Sequence, residues 1–319
     1  MKRRPFSFSI RISLGVSLLT AAIGCSGPDP SASTPTSGRL IVFADETYAP
    51  LVEVLADSFM VKMDASTIEV RRGSARAMVQ AFLDAQFVDS TSRDTGATTA
   101  LVIGRGLLPD EEKAAQGLQD ELKRYELAWD GIAVIVPAGT TIRYTMIDRL
   151  RKGLTSPTPP ADILDSGSRI EPMRFLVTDQ NSSTLPVLKG LLGLDSDIVA
   201  PARYFSTSDS AGKGAARGAG VGLVSWFVAH RDSARLRMVA VGRIDSLGFV
   251  RNPSYVHPTT LVTESYPLKQ PLMGFTMAPE RSLAVGFLAW MSRSQDAQYY
   301  IARTGGLQPA VKMRLVLPE

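Results

Sequence analysis

The residues best placed to do chemistry stand where apolar runs break into polar, helix-starting turns. Leu40-Ile41-Val42-Phe43 runs into Ala44-Asp45-Glu46-Thr47-Tyr48, and Thr67 to Val70 into Arg71-Arg72-Gly73-Ser74. Leu101-Val102-Ile103 meets Gly104-Arg105, and Phe175-Leu176-Val177 meets Thr178 and then Ser182-Ser183-Thr184. Hydroxyls at such turns are donors, a guanidinium is a planar fork for an oxyanion, and a helix N-terminus carries unpaired N–H groups with partial positive charge. Capture of a small anion is the chemistry this set supports. Each serine or threonine is equally a helix cap, because those residues are preferred at the N-cap whatever the function. Arg72 and Arg76 read as solvated surface charges, whereas Arg105 directly follows a buried run.

Catalytic groups are scarcer. A single cysteine, Cys25, rules out a disulfide framework. Two histidines, His230 and His257, leave little for a His-based metal cluster or a Ser-His-Asp triad. No metal and no cofactor are expected. The enzyme alternative is a surface hydrolase built on carboxylates such as Asp45, Glu46 or Asp179.

The elements that must position these turns alternate. Strands are expected at 40–43, 67–70, 101–103, 131–136, 175–177 and 221–228. Helices are expected over 50–60 and 75–86, from Pro109, and over 185–194, 283–291 and 294–303. Such alternation predicts an α/β chain with a mostly parallel sheet, whose strand-to-helix turns gather at one edge where ligands bind. Residues 88–99 and 155–168, rich in Ser, Thr, Pro, Asp and Gly, read as surface loops. The glycine-rich stretch Gly212 to Gly222 reads as a flexible turn, since it precedes its strand and lacks a Gly-Lys-Ser/Thr ending. Trp226, Trp290 and Tyr299-Tyr300 read as packing residues, and His257 beside Pro258 has no evident ligand partner.

The N-terminus names a compartment. Lys2, Arg3, Arg4 and Arg11 precede an apolar run from Ile12 to Ile23 and the small-residue ending Ala22-Ile23-Gly24-Cys25. This reads as a lipoprotein signal peptide of residues 1–24 with acylation at Cys25, anchoring the chain to a membrane of the cell envelope, inner or outer. The run is short for a spanning helix, which needs about 20 residues. Residues 25–37, mostly Ser, Pro, Thr, Gly and Ala, read as a flexible tether. All four charges of the leader are positive, so the remainder of this chain of net charge +4 is formally neutral and gives no reason to expect nucleic acid.

Taken in order, the motifs resemble the periplasmic phosphate-binding proteins of ABC phosphate transporters, within the type II periplasmic-binding superfamily. The resemblance rests on Phe43-Ala44-Asp45-Glu46-Thr47 before Pro50-Leu51, Gly73-Ser74 before a helix, Gly104-Arg105-Gly106-Leu107 with Glu111-Glu112 downstream, and Asn181-Ser182-Ser183-Thr184. Three longer stretches join them: Ala128 to Val136, Tyr266 to Leu272, and Gly286-Phe287 through Gln298 to Gly305, Gly306 and Pro309. It implies a two-lobed fold, each lobe a mixed, mostly parallel sheet flanked by helices, joined by two crossing hinge segments. One lobe takes residues 38–128 and 263–319, and the other takes 129–262.

By the same resemblance the chain is a monomeric solute-binding lipoprotein. It holds inorganic phosphate or a similar oxyanion between the lobes for uptake through an ABC permease. Thr47, Ser74, Ser182, Ser183 and Thr184 bind the ligand, with Arg105 as counter-charge. Two positions depart from the family pattern. Thr178 stands where an arginine would precede the Ser-Gly-Thr motif, and Arg105 takes the place of an aspartate that accepts the proton of hydrogen phosphate. The alternative is a drifted scaffold or sensor lipoprotein of the same fold without small-anion binding.

Overall fold

The computed structural model describes residues 33–311 apart from 92–96, 160–162, 165–173, 196 and 245–249. The leader, Cys25 and the start of the tether lie outside the described residues. The early apolar runs form three parallel strands, β1 (Gly38–Asp45), β2 (Ser66–Gly73) and β3 (Ala97–Ile103), with β1 in the middle. Helices α1 (Ala49–Lys62) and α2 (Ala75–Thr91) make the crossovers, and α3 (Pro109–Gln116) follows β3. A 15-residue strand, β4 (Lys123–Pro137), leads out of this lobe.

The middle of the chain begins with β5 (Tyr144–Met146), α4 (Ile147–Thr155), β6 (Phe175–Thr178), α5 (Thr184–Leu192) and β7 (Ala202–Phe205). It continues through α6 (Ser208–Ala216), β8 (Val221–Ser225), α7 (Trp226–Ala229), β9 (Leu236–Ile244), β10 (Val250–Ser254) and α8 (Pro258–Val262). The chain then returns as β11 (Lys269–Thr276), α9 (Leu283–Arg293), α10 (Gln295–Gly305) and β12 (Gln308–Pro309).

The result is a mixed α/β sheet in two lobes. Its strand order is β2-β1-β3-β11-β4-β8-β6-β7, with β5, β9, β10 and β12 attached off this path. β4 belongs to both lobes: residues 123–131 pair antiparallel with β11, while Ile132 to Pro137 pair with β8 and β9. Apolar packing divides at the same place. One buried cluster runs from Ile132 to Leu268, and a second draws on Leu40 to Ala128 and Leu272 to Leu307, with Phe227 reaching into it. Within the second, Phe59 packs edge-on against Phe287 at 5.4 Å and Trp290 at 5.3 Å.

Several expected elements differ. The loop read over 88–99 is largely regular, because α2 continues to Thr91 and β3 opens at Ala97. The run 221–228 is not one strand: it turns at Ser225 into α7. Gly212 and Gly214 lie inside α6 rather than in a flexible turn. A Cβ at Gly214 would meet Leu176 and Phe205 at 3.2 Å, and one at Gly222 would meet Ile135 at 2.6 Å, so these glycines admit close packing. Tyr299 and Tyr300 are exposed, at 49% and 37%, rather than packed. His257 caps α8, its Nδ1 accepting from the Thr259 N–H at 3.2 Å.

The last residues of the Ser/Pro/Thr run are docked on α9. The Leu283 N–H donates to Ser33 Oγ at 3.0 Å, and Thr34 and Ser37 pair through their backbones. A Cβ on Gly286 would stand 1.9 Å from the Pro35 carbonyl oxygen. Gly286→Ala should therefore expel this strap, although alanine itself favours helix by about 1 kcal/mol. Loss of hydrogen-exchange protection at the Leu283 amide is the expected readout, and retained protection would show that the strap does not need the glycine.

Candidate functional site

Three of the turns singled out in the sequence meet at one point, where the β1–α1 turn, the β3–α3 turn and the start of α5 come together. Asp45, at the end of β1, is 1% exposed. Its Oδ1 accepts the Thr47 N–H at 2.9 Å and its Oδ2 accepts the Ser183 hydroxyl. Ser183 Oγ in turn accepts the Gly104 N–H at 3.1 Å. Gly104 is held from behind by Gln270, whose amide donates to its carbonyl at 2.8 Å. A Cβ there would lie 2.3 Å from the Tyr48 ring, so no larger residue fits. Burial raises the Asp45 pKa against the lowering effect of these donors. Nearby, the Arg76 N–H in the first turn of α2 donates to the Asn181 carbonyl at 2.9 Å. The turn at 179–184 thus satisfies donors of the other lobe at two places.

The other expected binding residues have partners of their own, some close and some at long range. Arg105, 2% exposed, grips Glu111 with both terminal nitrogens, at 2.6 and 2.8 Å, and donates to the Gly106 carbonyl at 2.9 Å. Its Nε is buried without a partner among the described residues. Glu111 also accepts the Leu108 N–H at 2.8 Å, so the pair braces the β3–α3 turn. Ser74 Oγ makes only a long cap contact, 3.4 Å from the Ala77 N–H. Ser182 Oγ lies 2.7 Å from both Thr178 Oγ1 and the Asp179 carbonyl and accepts the Leu185 N–H at 3.3 Å. Thr184 Oγ1 faces Ser208 Oγ at 3.5 Å. Thr47 contributes its backbone N–H and its side chain to Asp45.

The local field is acidic. Glu46, half-buried beside Asp45 and Asp179, has its pKa raised to about 7, first by burial and then by those two carboxylates. None of the three is in an ion pair among the described residues. Alongside lies a cavity of about 460 Å³, walled on one side by Glu46, Thr47 and Pro50 and on the other by α6 and the segment after α7.

A second buried carboxylate, unassigned from the sequence beyond its place in Trp129-Asp130-Gly131, sits where β4 crosses between the lobes. Asp130 is fully buried and accepts from Tyr48 Oη at 2.7 Å, Ser225 Oγ, the Gly131 N–H at 2.7 Å and the Phe227 N–H at 3.2 Å. Through the Ser225 hydroxyl and the Phe227 amide it ties down the point where β8 turns into α7. Burial outweighs the four donors, and its pKa rises to about 6. No group of three or more potential metal ligands forms among the described residues.

No family model matches this sequence, and no curated protein matches it. Solved structures match in fold. A phosphate-bound protein from Clostridium perfringens, assigned as a substrate-binding protein of a phosphate ABC transporter, is 16% identical, with 86% of this chain and 100% of that one covered and a TM-score of 0.64. An ABC-type phosphate transport receptor from Vibrio cholerae is 17% identical over 85% and 99%, with a TM-score of 0.58. The CcmR regulatory domain of Synechocystis PCC6803, in complex with 2-PG, is 11% identical over 80% and 96%, with a TM-score of 0.51. The shared architecture therefore serves both transport receptors and regulatory domains.

Two outcomes follow from this geometry. Ser183→Ala leaves Asp45 Oδ2 and the Gly104 N–H without their Ser183 partner, each costing about 1–3 kcal/mol when buried unpaired. Chemical denaturation should register a loss of about 2–4 kcal/mol, and Asp45→Ala in the same background should add less than it does alone. For Asp130, the folded pKa of about 6 lies above the unfolded value near 3.8, so the native state holds the extra proton between them. Its contribution is fully present below the unfolded value and is lost as pH rises toward 6, by about 3 kcal/mol in all. Asp130→Asn should remove that slope from the pH dependence of unfolding, and an unchanged slope would assign it to other groups.

Proposed function

We propose that the chain is an extracytoplasmic lipoprotein, anchored at Cys25, that keeps the two-lobed solute-binding frame but has its oxyanion seat taken by its own Asp45 carboxylate. It acts at the membrane surface as a sensor or scaffold and does not capture phosphate. The observation that carries this reading is the hydrogen-bonded chain Thr47–Asp45–Ser183–Gly104. Two main-chain N–H groups and a hydroxyl, the donors an oxyanion would use, are engaged with a carboxylate of the protein or with each other. A phosphate dianion there would also meet Glu46 and Asp179, while the nearest buried guanidinium, Arg105, is neutralised by Glu111. Like charges about 4 Å apart repel by about 4 kcal/mol at the effective dielectric of a protein surface. The protein is a monomer with lobes 38–128 plus 263–319 and 129–262, and it is not an enzyme. No described helix is long and apolar enough to cross a membrane.

A second reading is favoured by the convergence of three donor-bearing turns and by the phosphate seen in the similar Clostridium perfringens protein. In it, inorganic phosphate or a related oxyanion is captured between the lobes by Thr47, Ser74, Ser182, Ser183 and Thr184 with Arg105, and handed to an ABC permease. Asp45 must then release Ser183 and accept the ligand's proton.

Calorimetric titration with phosphate separates the two, using purified protein unfolded and refolded to strip any copurified solute. The expected result is no saturable heat up to about 1 mM, whereas micromolar binding would establish the second reading. Asp45→Ser removes the internal carboxylate and supplies a hydroxyl, and it should gain phosphate affinity by at least about tenfold, about 1.4 kcal/mol.

A further inference from the structure

The cavity beside Asp45 has a charge pattern that the phosphate question leaves unexplained. Its walls carry Glu46 on the β1–α1 turn, Asp209 and Lys213 on α6, and Arg231 and Asp232 after α7. Lys213 pairs with Asp209 at 2.6 Å, and Asp232 approaches Arg235 at 4.0 Å. Glu46 and Arg231 have no ion-pair partner among the described residues. The Arg231 guanidinium lies over the Phe227 ring at 4.0 Å, which fixes its position and leaves its N–H edges unspent. Glu46 stands beside Asp45 and Asp179, and none of these three carboxylates is in an ion pair among the described residues. The remaining lining is apolar, from Pro50, Val228, Ala229 and Leu236.

The geometry points to a site for a small zwitterion, an α-amino acid or a close relative, with its ammonium on Glu46, its carboxylate on Arg231, and its side chain against the apolar lining. This rests on the reading that Asp45 closes the seat to phosphate, and it names what the adjoining cleft takes instead. A lone anion would satisfy Arg231 and add to the repulsion at Glu46. A lone cation would relieve Glu46 and leave Arg231 without a partner. Only a ligand with both charges completes the set. The volume, about 460 Å³, falls in the range of small-molecule sites and far exceeds what an inorganic ion fills. Ser208 and Asp209, in the first turn of α6, line the same cavity, so that helix start adds its partial positive charge on the Arg231 side.

The carboxylate of Glu46 faces Asp45 and Asp179 on its own side and Arg231, Lys213, Asp209 and Asp232 across the cavity. An arriving ammonium stabilises its charged form, so affinity should fall as pH drops below about 7.

The test is calorimetry on the purified, refolded chain with each of the twenty common amino acids. Butylamine and butyrate serve as single-charge controls, and phosphate is a separate arm. At least one amino acid should bind with submillimolar affinity, and each single-charge control at least about tenfold more weakly. Glu46→Gln and Arg231→Gln should each weaken that binding by at least about tenfold while the melting temperature stays within about 2 °C of the parent. The inference is overturned if no amino acid binds at about 10 mM, if the single-charge controls bind as well, or if both variants bind like the parent. Phosphate binding by the parent would instead sink the reading of the Asp45 seat, which the amino-acid arms do not test.

Discussion

The buried carboxylate of Asp130 sets the terms for the rest of this molecule. An ionised carboxylate out of water costs several kcal/mol even after relaxation, and it persists only where its lone pairs are satisfied. Here the donors come from different parts of the chain: Tyr48 enters from the start of α1 in one lobe, Ser225 and Phe227 from the β8–α7 junction in the other, and Gly131 from β4 itself. Because β4 pairs with β11 on one side of this residue and with β8 and β9 on the other, the carboxylate sits at the passage between two cores. Tyr266, on the returning segment, donates to the carbonyl of Ile132, two residues beyond Asp130 on β4, at 2.6 Å. Any change in lobe angle must keep these partners or strand a charge, so the crossing is restrained by electrostatics as much as by packing.

The same principle operates at Asp45 with a different consequence. A bound oxyanion must offset the loss of its translational freedom before its hydrogen bonds show as affinity. A side-chain carboxylate is already attached and has no such cost. With Ser183 on one lobe and Gly104 and Thr47 on the other, the lobe-to-lobe bond is made by the chain's own groups. Arg105 does not compensate this negative charge, because its fork is matched by Glu111 in a buried bidentate pair that braces the turn. The β3–α3 turn is thereby stiffened for presenting the Gly104 N–H, a supporting role for an arginine that the sequence reads as a ligand.

The sequence carried the frame well because burial leaves periodic marks. Runs such as 40–43, 101–103 and 175–177 are continuous apolar stretches, and each became an inner strand. The order of turns was legible for the same reason. Edge strands such as β7, with its Arg203 and exposed Tyr204, carry no such mark, and β11 was obscured by Pro271, which pairs opposite Trp129 without offering an N–H. At the site, the convergence of the β1, β3 and α5 turns could be read, but the direction of each side chain could not. Whether Arg105 faces a ligand or Glu111 depends on how α3 folds back six residues later. The acids Asp45 and Glu46, placed directly after a buried strand, were the available signal for an acidic seat, and hydroxyl caps at neighbouring turns drew the reading toward an anion.

Placing a carboxylate in the seat also changes what lobe closure means. A ligand shifts an open–closed equilibrium only by the difference in its affinity for the two states. When the closing bond is internal, closure has a standing contribution from Asp45 and Ser183, and on the proposed reading a solute in the adjoining cavity would modulate it instead of creating it. The sign of that modulation follows from charge. A positive group near Glu46 reduces repulsion among Asp45, Glu46 and Asp179 and so strengthens the closed arrangement, whereas another anion weakens it. A receptor for transport needs its closed state to depend on cargo. A sensor needs only that two states differ in energy by an amount the solute can reverse, and on the proposed reading the Asp45–Ser183 bond would supply that difference with few groups.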